Sequence, residues 1–217
     1  MAFEFQDIKI TWLGHDGFKI SNSSIVYIDP LEIKPNEPAD LLLITHNHYD
    51  HLNLEDIAKV VSEKTTIVAS EECRAKLTGL KVRELKTVRA GDRLSVGMVT
   101  VEAVPAYNVN KFRAPGQPFH PKQDGKVGFI LGIGSVRIYH SGDTDHIPEM
   151  NQVRAEVALL PVSGIYVMTA EEAAEATKTL KPKVAIPMHY GGEVGTEVDA
   201  KKFAQLAACE VKILRAE

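Results

Sequence analysis

Residues 41–51 read LLLITHNHYDH, and this stretch decides the interpretation of the chain. Four apolar residues and a threonine precede three histidines and one aspartate, which fall within six residues. A short apolar run of this kind predicts a buried β-strand, so the polar side chains would gather where that strand ends. Imidazole nitrogens and a carboxylate oxygen suit a borderline divalent ion such as zinc, manganese or iron.

The spacing of these side chains indicates two metal positions rather than one. His46 and His48 are two residues apart, so both rings can point the same way as the chain leaves the strand. Asp50 and His51 would then turn toward a neighbouring position. The alternative is a solvated polar turn whose histidines bind nothing, and the concentration of histidines in this stretch argues against it.

Short apolar runs of strand length dominate the chain. They cover residues 8–13, 24–28, 41–44, 66–69, 82–85, 98–104, 127–131, 135–139, 157–160, 184–186 and 210–214. Helical spacing predicts helices over 53–62, 71–77, 169–180 and 197–207, with Asn53 as an N-cap and a capping box beginning at Thr169. About ten to thirteen strands with four or five helices between them favour a layered α/β (α+β) sandwich over a wound parallel sheet.

The length of 217 residues favours one domain over residues 1–217, or two closely packed halves. One long stretch, residues 106–126, has no predicted element and contains three prolines and two glycines. Loops of that length within a compact domain are usually functional or disordered. We therefore expect this segment to bear on specificity.

Composition argues against several classes of protein. Lysine and arginine number 25 against 29 acidic residues, so the net charge is −4 and no overall positive field attracts nucleic acid, although a local basic site stays open. Cys73 and Cys209 form no C-x-x-C pair, which favours a reducing, cytoplasmic setting and argues against sulfur ligands. Residues 1–10 lack the basic start of a signal peptide, and no apolar run is long enough to span a membrane.

Four further sequence motifs allow the chain to be compared with a known family. The segments are WLGHDGF at 12–18, IDP at 28–30, YHSGDT at 139–144 and IPMHYGG at 186–192. Together with the H-x-H-x-D-H run, and in the same order, they resemble the metallo-β-lactamase-fold hydrolases, in particular the branch that includes ascorbate-6-phosphate lactonase. The resemblance covers nearly the whole chain. It implies a four-layer αββα sandwich with two mixed sheets and a site where the loops after the strands meet.

The same resemblance implies a set of metal ligands for two divalent ions, zinc or manganese, with iron less favoured. His46 and His48 would serve the first metal, while Asp50, His51 and His189 would serve the second. Asp143 would serve both ions. Asp29 would orient a ligand or hold its loop, as outer carboxylates do around metal-binding imidazoles.

One motif departs from the family pattern. A third histidine for the first metal is expected just after a strand in the middle of the chain, where this sequence has Asn108. Three interpretations stay open: His120 replaces the missing ligand, Asn108 or water fills the position, or the first site is weak. The length of the loop favours His120, although a surface position for this histidine is the simpler alternative.

Other residues could act on the substrate. His15 follows a glycine at a strand end, so contact with the substrate competes with a structural hydrogen bond. His146 would open a short helix and face the cleft, whereas His140 is expected to pack in the interior. Lys111, Arg113 and Lys122 could hold a phosphate or carboxylate, or could be solvated charges.

The predicted function is that of a metal-dependent hydrolase. A metal-bridged hydroxide would cleave an ester, lactone or phosphodiester bond in a small substrate, which could be anionic, with Asp50, His15 and His146 as the catalytic candidates. The alternative is a metal-binding protein with a degenerate first site and a regulatory or partner-binding role. An iron enzyme that reduces oxygen or oxidises sulfur is a third class, without support from any added flavin module. Assembly into a homo-oligomer is left open.

Overall fold

A computed structural model describes residues 2–34, 37–192 and 194–217. The chain divides into two compact units, one comprising Met1–Val88 with Leu214–Glu217 and the other Arg89–Ile213. Each unit contains its own seven-stranded sheet. The prediction of a single domain over residues 1–217 stays a prediction.

The sheet of the first unit changes from antiparallel to parallel along its width. Its strands are β1 Phe3–Phe5, β2 Ile8–Gly14, β3 Gly17–Ser21, β4 Ile25–Ile28, β5 Leu41–Ile44, β6 Thr66–Ser70 and β7 Glu84–Val88, in that order. Strands β1 to β4 pair antiparallel, whereas β4 to β7 pair parallel. Parallel strands bring their carboxyl ends to one edge, so the residues that follow β4, β5 and β6 share that edge.

Two helices accompany this sheet, α1 Leu54–Val60 and α2 Arg74–Leu77, the second preceded by a 3-10 turn at Glu71–Cys73. The side chain of Asn53 accepts hydrogen bonds from the backbone N–H groups of Glu55 and Asp56. The predicted cap is confirmed, because those N–H groups have no partner within the helix. Ile57 and Val60 of α1 belong to a buried apolar cluster with Leu42 and Ile44 of β5.

The sheet of the second unit also combines both pairings. Its strands run β16-β15-β14-β13-β12-β9-β8 across the sheet. Their bounds are β8 Arg93–Val96, β9 Val99–Pro105, β12 Val127–Ile133, β13 Val136–His140, β14 Val157–Pro161, β15 Val184–Met188 and β16 Glu210–Val211, and a separate pair is β10 Phe112–Ala114 with β11 Gln117–Pro118. Strands β13 to β16 are parallel, so the carboxyl ends of β13, β14 and β15 share an edge.

The helices of the second unit are α3 Ala170–Leu180 and α4 Glu197–Leu206. Both begin with a capping box, formed by Thr169 with Glu172 and by Thr196 with Asp199. The predicted box at Thr169 is confirmed, since each partner satisfies a backbone N–H of the first turn. Among helices of the described residues, none is long and apolar enough to cross a membrane.

The stretch 106–126 is more regular than the sequence analysis predicted. Strands β10 and β11 pair antiparallel, with Phe112 opposite Pro118 and Ala114 opposite Gln117. The turn between them is Pro115-Gly116, where Gly116 takes a φ of 72°. A 3-10 turn follows at Lys122–Asp124. The expectation of an element-free loop is therefore wrong. A Pro-Gly turn closes a short hairpin here, and its strands contain no apolar run from which they could be predicted.

Candidate metal centre

The candidate ligands of the first unit follow strands of its sheet. His15 and Asp16 form the turn between β2 and β3, Asp29 follows β4, and Thr45 and His46 follow β5. The loop from there to α1 carries the other three candidates, His48, Asp50 and His51. Asp16, Asp29, His46 and His51 are fully buried. Buried histidines and carboxylates need partners, so the contacts of each one matter.

Asp29 fixes the orientation of two histidines. Its Oδ2 accepts a hydrogen bond from His51 Nδ1 at 2.8 Å and another from the Thr45 hydroxyl at 2.5 Å. Because Thr45 donates its proton to Asp29, its oxygen accepts from His46 Nδ1 at 3.0 Å. Both rings therefore carry a proton on Nδ1 and present Nε2 as the nitrogen able to bind a metal. These contacts match the orienting role predicted for Asp29.

The ligand atoms of this unit form two groups. His46 and His48 lie together, with ring centroids 4.5 Å apart. One atom each of His15, Asp16 and His51 lies within 4.8 Å of the others. The rings of His46 and His51 also lie close, with centroids 3.9 Å apart, so the division of the H-x-H-x-D-H run between two metal positions stays a prediction.

Asp50 lies beside the second of these groups. Its Oδ2 is 3.0 Å from His15 Nε2 and 3.7 Å from His51 Nε2. Asp50 is partly exposed, with 24% of its side chain accessible, whereas the neighbouring Asp16 is fully buried. A carboxylate that touches both an imidazole and solvent can take up a proton as well as bind a cation.

The candidate ligands of the second unit surround one carboxylate. Asp143 follows β13, His189 follows β15, and His120 lies two residues after β11. Asp143 Oδ2 is 3.2 Å from His120 Nε2 and 3.6 Å from His189 Nε2. The three side chains are 1% to 3% exposed. Asp143 therefore lies beside both imidazoles, and its role in binding both metals stays a prediction.

Asn108 orients His120 through both ends of its amide. Its Oδ1 accepts from His120 Nδ1 at 3.0 Å and from the His120 backbone N–H at 2.8 Å. Its Nδ2 donates to Asp145 Oδ1 at 3.1 Å and to the Tyr166 carbonyl at 2.8 Å. The residue in the place of the expected third histidine thus holds another histidine, with Nε2 directed to Asp143.

Ser163 gives His189 a similar partner. The Ser163 hydroxyl oxygen lies 2.9 Å from His189 Nδ1 and 3.3 Å from the Ile165 carbonyl, to which it can donate its proton. It then accepts from His189 Nδ1, which leaves Nε2 to face Asp143. Four histidines of the chain, His46, His51, His120 and His189, share this arrangement of an engaged Nδ1.

Several of these residues adopt unusual backbone conformations. His15, Asp29 and His189 have φ values of 48°, 42° and 55°, in the left-handed region that costs energy for residues with a Cβ. Such strain is concentrated at functional sites, where surrounding contacts hold it. Close packing also requires Gly128, since a Cβ there would lie 2.6 Å from the carbonyl oxygen of Ser141, just before Asp143.

The remaining histidines have structural contacts. His140 is fully buried, as expected, and its Nδ1 accepts from the Gly142 N–H at 3.1 Å. His146 Nε2 lies 3.0 Å from the Thr179 hydroxyl on α3. The 3-10 helix begins two residues after His146, at Pro148, so His146 does not open it. Its catalytic role stays a prediction.

Sequence reasoning missed three residues that organise the site. Asp16 belongs to the quoted WLGHDGF segment, yet its burial beside His15 and His51 becomes evident only in the fold. Ser163 follows β14, and its position after a parallel strand is the one signal that could have drawn attention to it. Asp145 accepts from the backbone N–H groups of Val109 and Asn110 at 2.7 and 2.9 Å, which fixes the chain after Asn108.

Comparison with known proteins identifies the family. The family model described as the beta-lactamase superfamily domain matches residues 9–189. The chain belongs to the beta-lactamase superfamily. A UPF0173 metal-dependent hydrolase of Archaeoglobus fulgidus is 35% identical over 90% of this chain and 89% of its own length. One from Thermoplasma acidophilum is 31% identical over 93% of this chain and 92% of its own length.

Solved structures of superfamily members show the same fold. A structure from Parabacteroides distasonis, assigned as a metal-dependent hydrolase, has a TM-score of 0.86 at 30% identity and covers 100% of this chain and 98% of its own. Igni18, a metallo hydrolase from Ignicoccus hospitalis, has a TM-score of 0.74 at 24% identity, with 96% and 95% covered. The predicted family and fold class are confirmed, and the chain is placed among the metal-dependent hydrolases of the superfamily.

Proposed function

We propose that this protein is a hydrolase that uses two divalent metal ions to cleave an ester or lactone, or a phosphodiester, in a small molecule. The observation that carries the proposal is the engagement of Nδ1 in His46, His51, His120 and His189, each by an oxygen atom. Metal-binding histidines are held in this way by a carboxylate, carbonyl or water, which fixes the tautomer. The donor set of imidazoles and carboxylates fits zinc or manganese, and iron less well.

The ligand assignment follows from that pattern. The first unit would supply His46 and His48 to one ion, and Asp50 and His51 to the other. His120, His189 and Asp143 are the other ligands of the proposed set. We favour catalysis over a degenerate regulatory site because Asn108, which suggested the degenerate site, holds His120 by two hydrogen bonds.

Bound divalent ions would lower the pKa of water and polarise the bond to be cleaved. The chain's own groups would handle the proton. His15 Nε2 and Asp50 Oδ2 are 3.0 Å apart, so a proton accepted by the carboxylate can pass to the imidazole and from there to the leaving group.

Hydrolysis by the purified protein, with its native metal content measured, tests the proposal. We expect about two equivalents of divalent metal and turnover within a panel of chromogenic esters, lactones and phosphodiesters. Asp143→Asn should lower kcat/KM about a thousandfold, in line with several kcal/mol of lost transition-state stabilisation. Asp124→Asn, at an exposed carboxylate paired with Lys126, is the matched control and should keep full activity. Full activity and full metal content in Asp143→Asn would reject the assignment.

A further inference from the structure

Large apolar side chains are exposed in two loops of the second unit that adjoin the predicted ligands. Val109 and Phe112 lie in the stretch before His120, and Ile165 and Tyr166 lie in the loop after β14. Their exposed fractions are between 40% and 48%. Together with Phe119 we call these residues the apolar rim. Exposed apolar groups that cluster in this way usually mark a binding surface.

Direct contacts link the two loops of the apolar rim. The rings of Phe119 and Tyr166 meet edge to face, with centroids 4.6 Å apart. The Phe119 backbone N–H donates to the Lys111 carbonyl at 3.2 Å, which joins it to the start of the β10–β11 hairpin. The Asn108 amide donates to the carbonyl of Tyr166. The two loops are therefore linked through Phe119, Tyr166 and Asn108.

The apolar rim is fixed next to the metal ligands by sequence and by hydrogen bonds. Phe119 directly precedes His120, and Ser163, which holds His189, is three residues before Tyr166. Asn108 contacts both His120 and Tyr166, so one amide orients a candidate ligand and the rim together.

The backbone of Tyr166 is strained. Its φ of 67° lies in the left-handed region, which is rare for a bulky residue. The Gly164 N–H donates to the Met168 carbonyl at 2.9 Å, and Ser163 pairs with Thr169, so the loop is closed on both sides of Tyr166. A strained aromatic residue held by a closed loop indicates a functional position.

Local carboxylates neutralise two of the cations predicted to hold an anionic substrate. Lys111 Nζ lies 2.6 Å from Glu172 Oε2 and 3.6 Å from Asp145 Oδ1. Lys122 Nζ lies 2.7 Å from Glu149 Oε1 and stacks 4.6 Å above the ring of Tyr107. Burial raises the pKa of Glu149, but hydrogen bonds from Lys122 and Tyr107 outweigh it, so the pKa is lowered and the carboxylate stays ionised. These pairs reduce the attraction of Lys111 and Lys122 for an anionic group, while Arg113 in β10 is exposed.

We infer that the apolar rim binds an uncharged apolar group of the substrate, beside a carboxylic ester or lactone carbonyl. The inference rests on the proposed function, because it names the substrate class of the same site. Apolar area removed from water drives such binding, and an aromatic ring packs edge to face on Phe119 and Tyr166 as they pack on each other.

A binding measurement tests the inference without catalysis. In metal-loaded protein, phenylacetate should bind about tenfold more tightly than acetate by ligand-observed NMR titration, since the two share a carboxylate and differ in one ring. Tyr166→Gly removes the ring, and glycine suits the left-handed backbone, so the variant should fold. It should bind phenylacetate and acetate with nearly equal affinity. Phe112→Ala is a second variant, expected to lower the preference less. Met98→Ala, 79% exposed in the turn between β8 and β9, is the matched control and should keep it.

Hydrolysis of methyl phenylacetate and methyl acetate, followed by pH-stat titration, separates the two proposals, because the two esters differ only in the aromatic ring of the acyl group. A preference in binding without hydrolysis of either ester would contradict the proposed function but support the rim. Hydrolysis of both esters at equal kcat/KM, unchanged by Tyr166→Gly, would contradict the inference about the apolar rim. The proposed function would not be affected by that result. If Tyr166→Gly instead converts a dimer to a monomer in sedimentation velocity and leaves the phenylacetate preference intact, the rim is a contact between copies and the inference is wrong.

Discussion

A single carboxylate, Asp29, holds two candidate metal ligands in the first unit. It receives His51 directly and His46 through the Thr45 hydroxyl, and its Oδ1 also accepts the Thr45 backbone N–H at 2.9 Å. Asp29 is fully buried and accepts three hydrogen bonds, so the orientation of both imidazole rings depends on it. The left-handed φ of 42° at Asp29 is a conformation that aspartate and asparagine tolerate better than other residues with a Cβ.

Asp29→Asn should therefore weaken metal binding while the fold survives. Asparagine suits the same backbone and nearly the same volume, but its amide nitrogen cannot accept the hydrogen bond that one of the partners donates. Loss of such an outer partner typically lowers metal affinity 10- to 100-fold, and we expect a change of about that size in a titration of zinc into apo protein. Asp7→Asn, at an exposed carboxylate, is the control. Unchanged zinc affinity in Asp29→Asn would remove the orienting role.

His120→Ala should weaken one metal-binding step and leave the other. An open catalytic zinc site normally keeps three protein ligands, so the loss of one lowers the affinity of that ion markedly. Calorimetric titration of apo protein should show two steps in the unmodified chain and a selectively weakened step in the variant. His146→Ala is matched to it, because His146 contacts Thr179 of α3, and it should leave both steps intact. If both binding steps are unaltered in His120→Ala, His120 is not a metal ligand. Asn108 or a water molecule would then be the third ligand of the first metal.

The sequence predicts residues of this site to different degrees for a physical reason. His46, His48, Asp50 and His51 are adjacent in the chain, so their density alone reveals them. Ser163 and His189 are 26 positions apart, and their hydrogen bond exists because β14 and β15 pair in parallel with Pro161 opposite Met188. That register is set by the packing of the whole sheet, which a local pattern does not encode.

At the scale of elements, the start of α3 is tied to the stretch that carries Asn108 and His120. Glu172 Oε2 accepts the Thr169 backbone N–H at 2.8 Å and also receives Lys111 Nζ at 2.6 Å. Its other oxygen accepts from Asn110 Nδ2 at 2.5 Å. One carboxylate thus caps the helix and holds the loop, which makes Glu172 more than a capping residue.

The ionisation of Glu172 should couple stability to pH. Burial raises its pKa, but hydrogen bonds from Lys111, the Thr169 N–H and Asn110 outweigh this and lower the pKa below its ordinary value of 4.5. A lowered pKa contributes stability above the ordinary value, and this contribution is lost as the pH falls through the folded-state value. Urea unfolding should show Glu172→Gln destabilised by roughly 1–2 kcal/mol at pH 7, with the difference shrinking in acid below the ordinary value. An equal difference at both pH values would contradict this account.

Elements with local signals were predicted, and elements without them were not. The caps at Asn53 and Thr169 were identified because capping depends on residues within four positions of each other. Strand β8 at Arg93–Val96 was missed, since its four residues alternate between polar and apolar over too short a run. The β10–β11 hairpin was missed for a similar reason, as its pairing partners are Phe112 with Pro118 and Ala114 with Gln117.

At the scale of the molecule, each unit presents its polar groups in the same way. In the first, Asp29 and His46 follow parallel strands of one sheet, and in the second, Asp143, Ser163 and His189 do so. Carboxyl ends of parallel strands are common locations for binding sites, because the loops that leave them can differ without disturbing the sheet. Function on such a fold therefore depends on the particular side chains that these loops carry.

Removal of metal should lower the melting temperature of the whole chain. Ions that bind the folded state and not the unfolded state stabilise it by mass action, by about 4 kcal/mol for one ion at a thousand times its Kd. For a chain of this length that corresponds to a shift of roughly 10 °C. Differential scanning calorimetry of protein treated with a chelator, and of the same protein after zinc is restored, should show a loss and a recovery of that size.

Asp143→Asn provides the internal control for this measurement, since the lost ligand should make its melting temperature less sensitive to the chelator than that of the unmodified chain. The ligands of the predicted set extend from residue 46 to residue 189. Removal of the metal ions therefore affects segments that are far apart in the sequence. If the chelated protein melts at the same temperature as the untreated protein, and the untreated protein contains less than one equivalent of metal, the two-metal hypothesis fails. A shift reversed by zinc in the unmodified chain and reduced in Asp143→Asn would tie the stabilisation to the proposed ligands rather than to a general effect of the chelator.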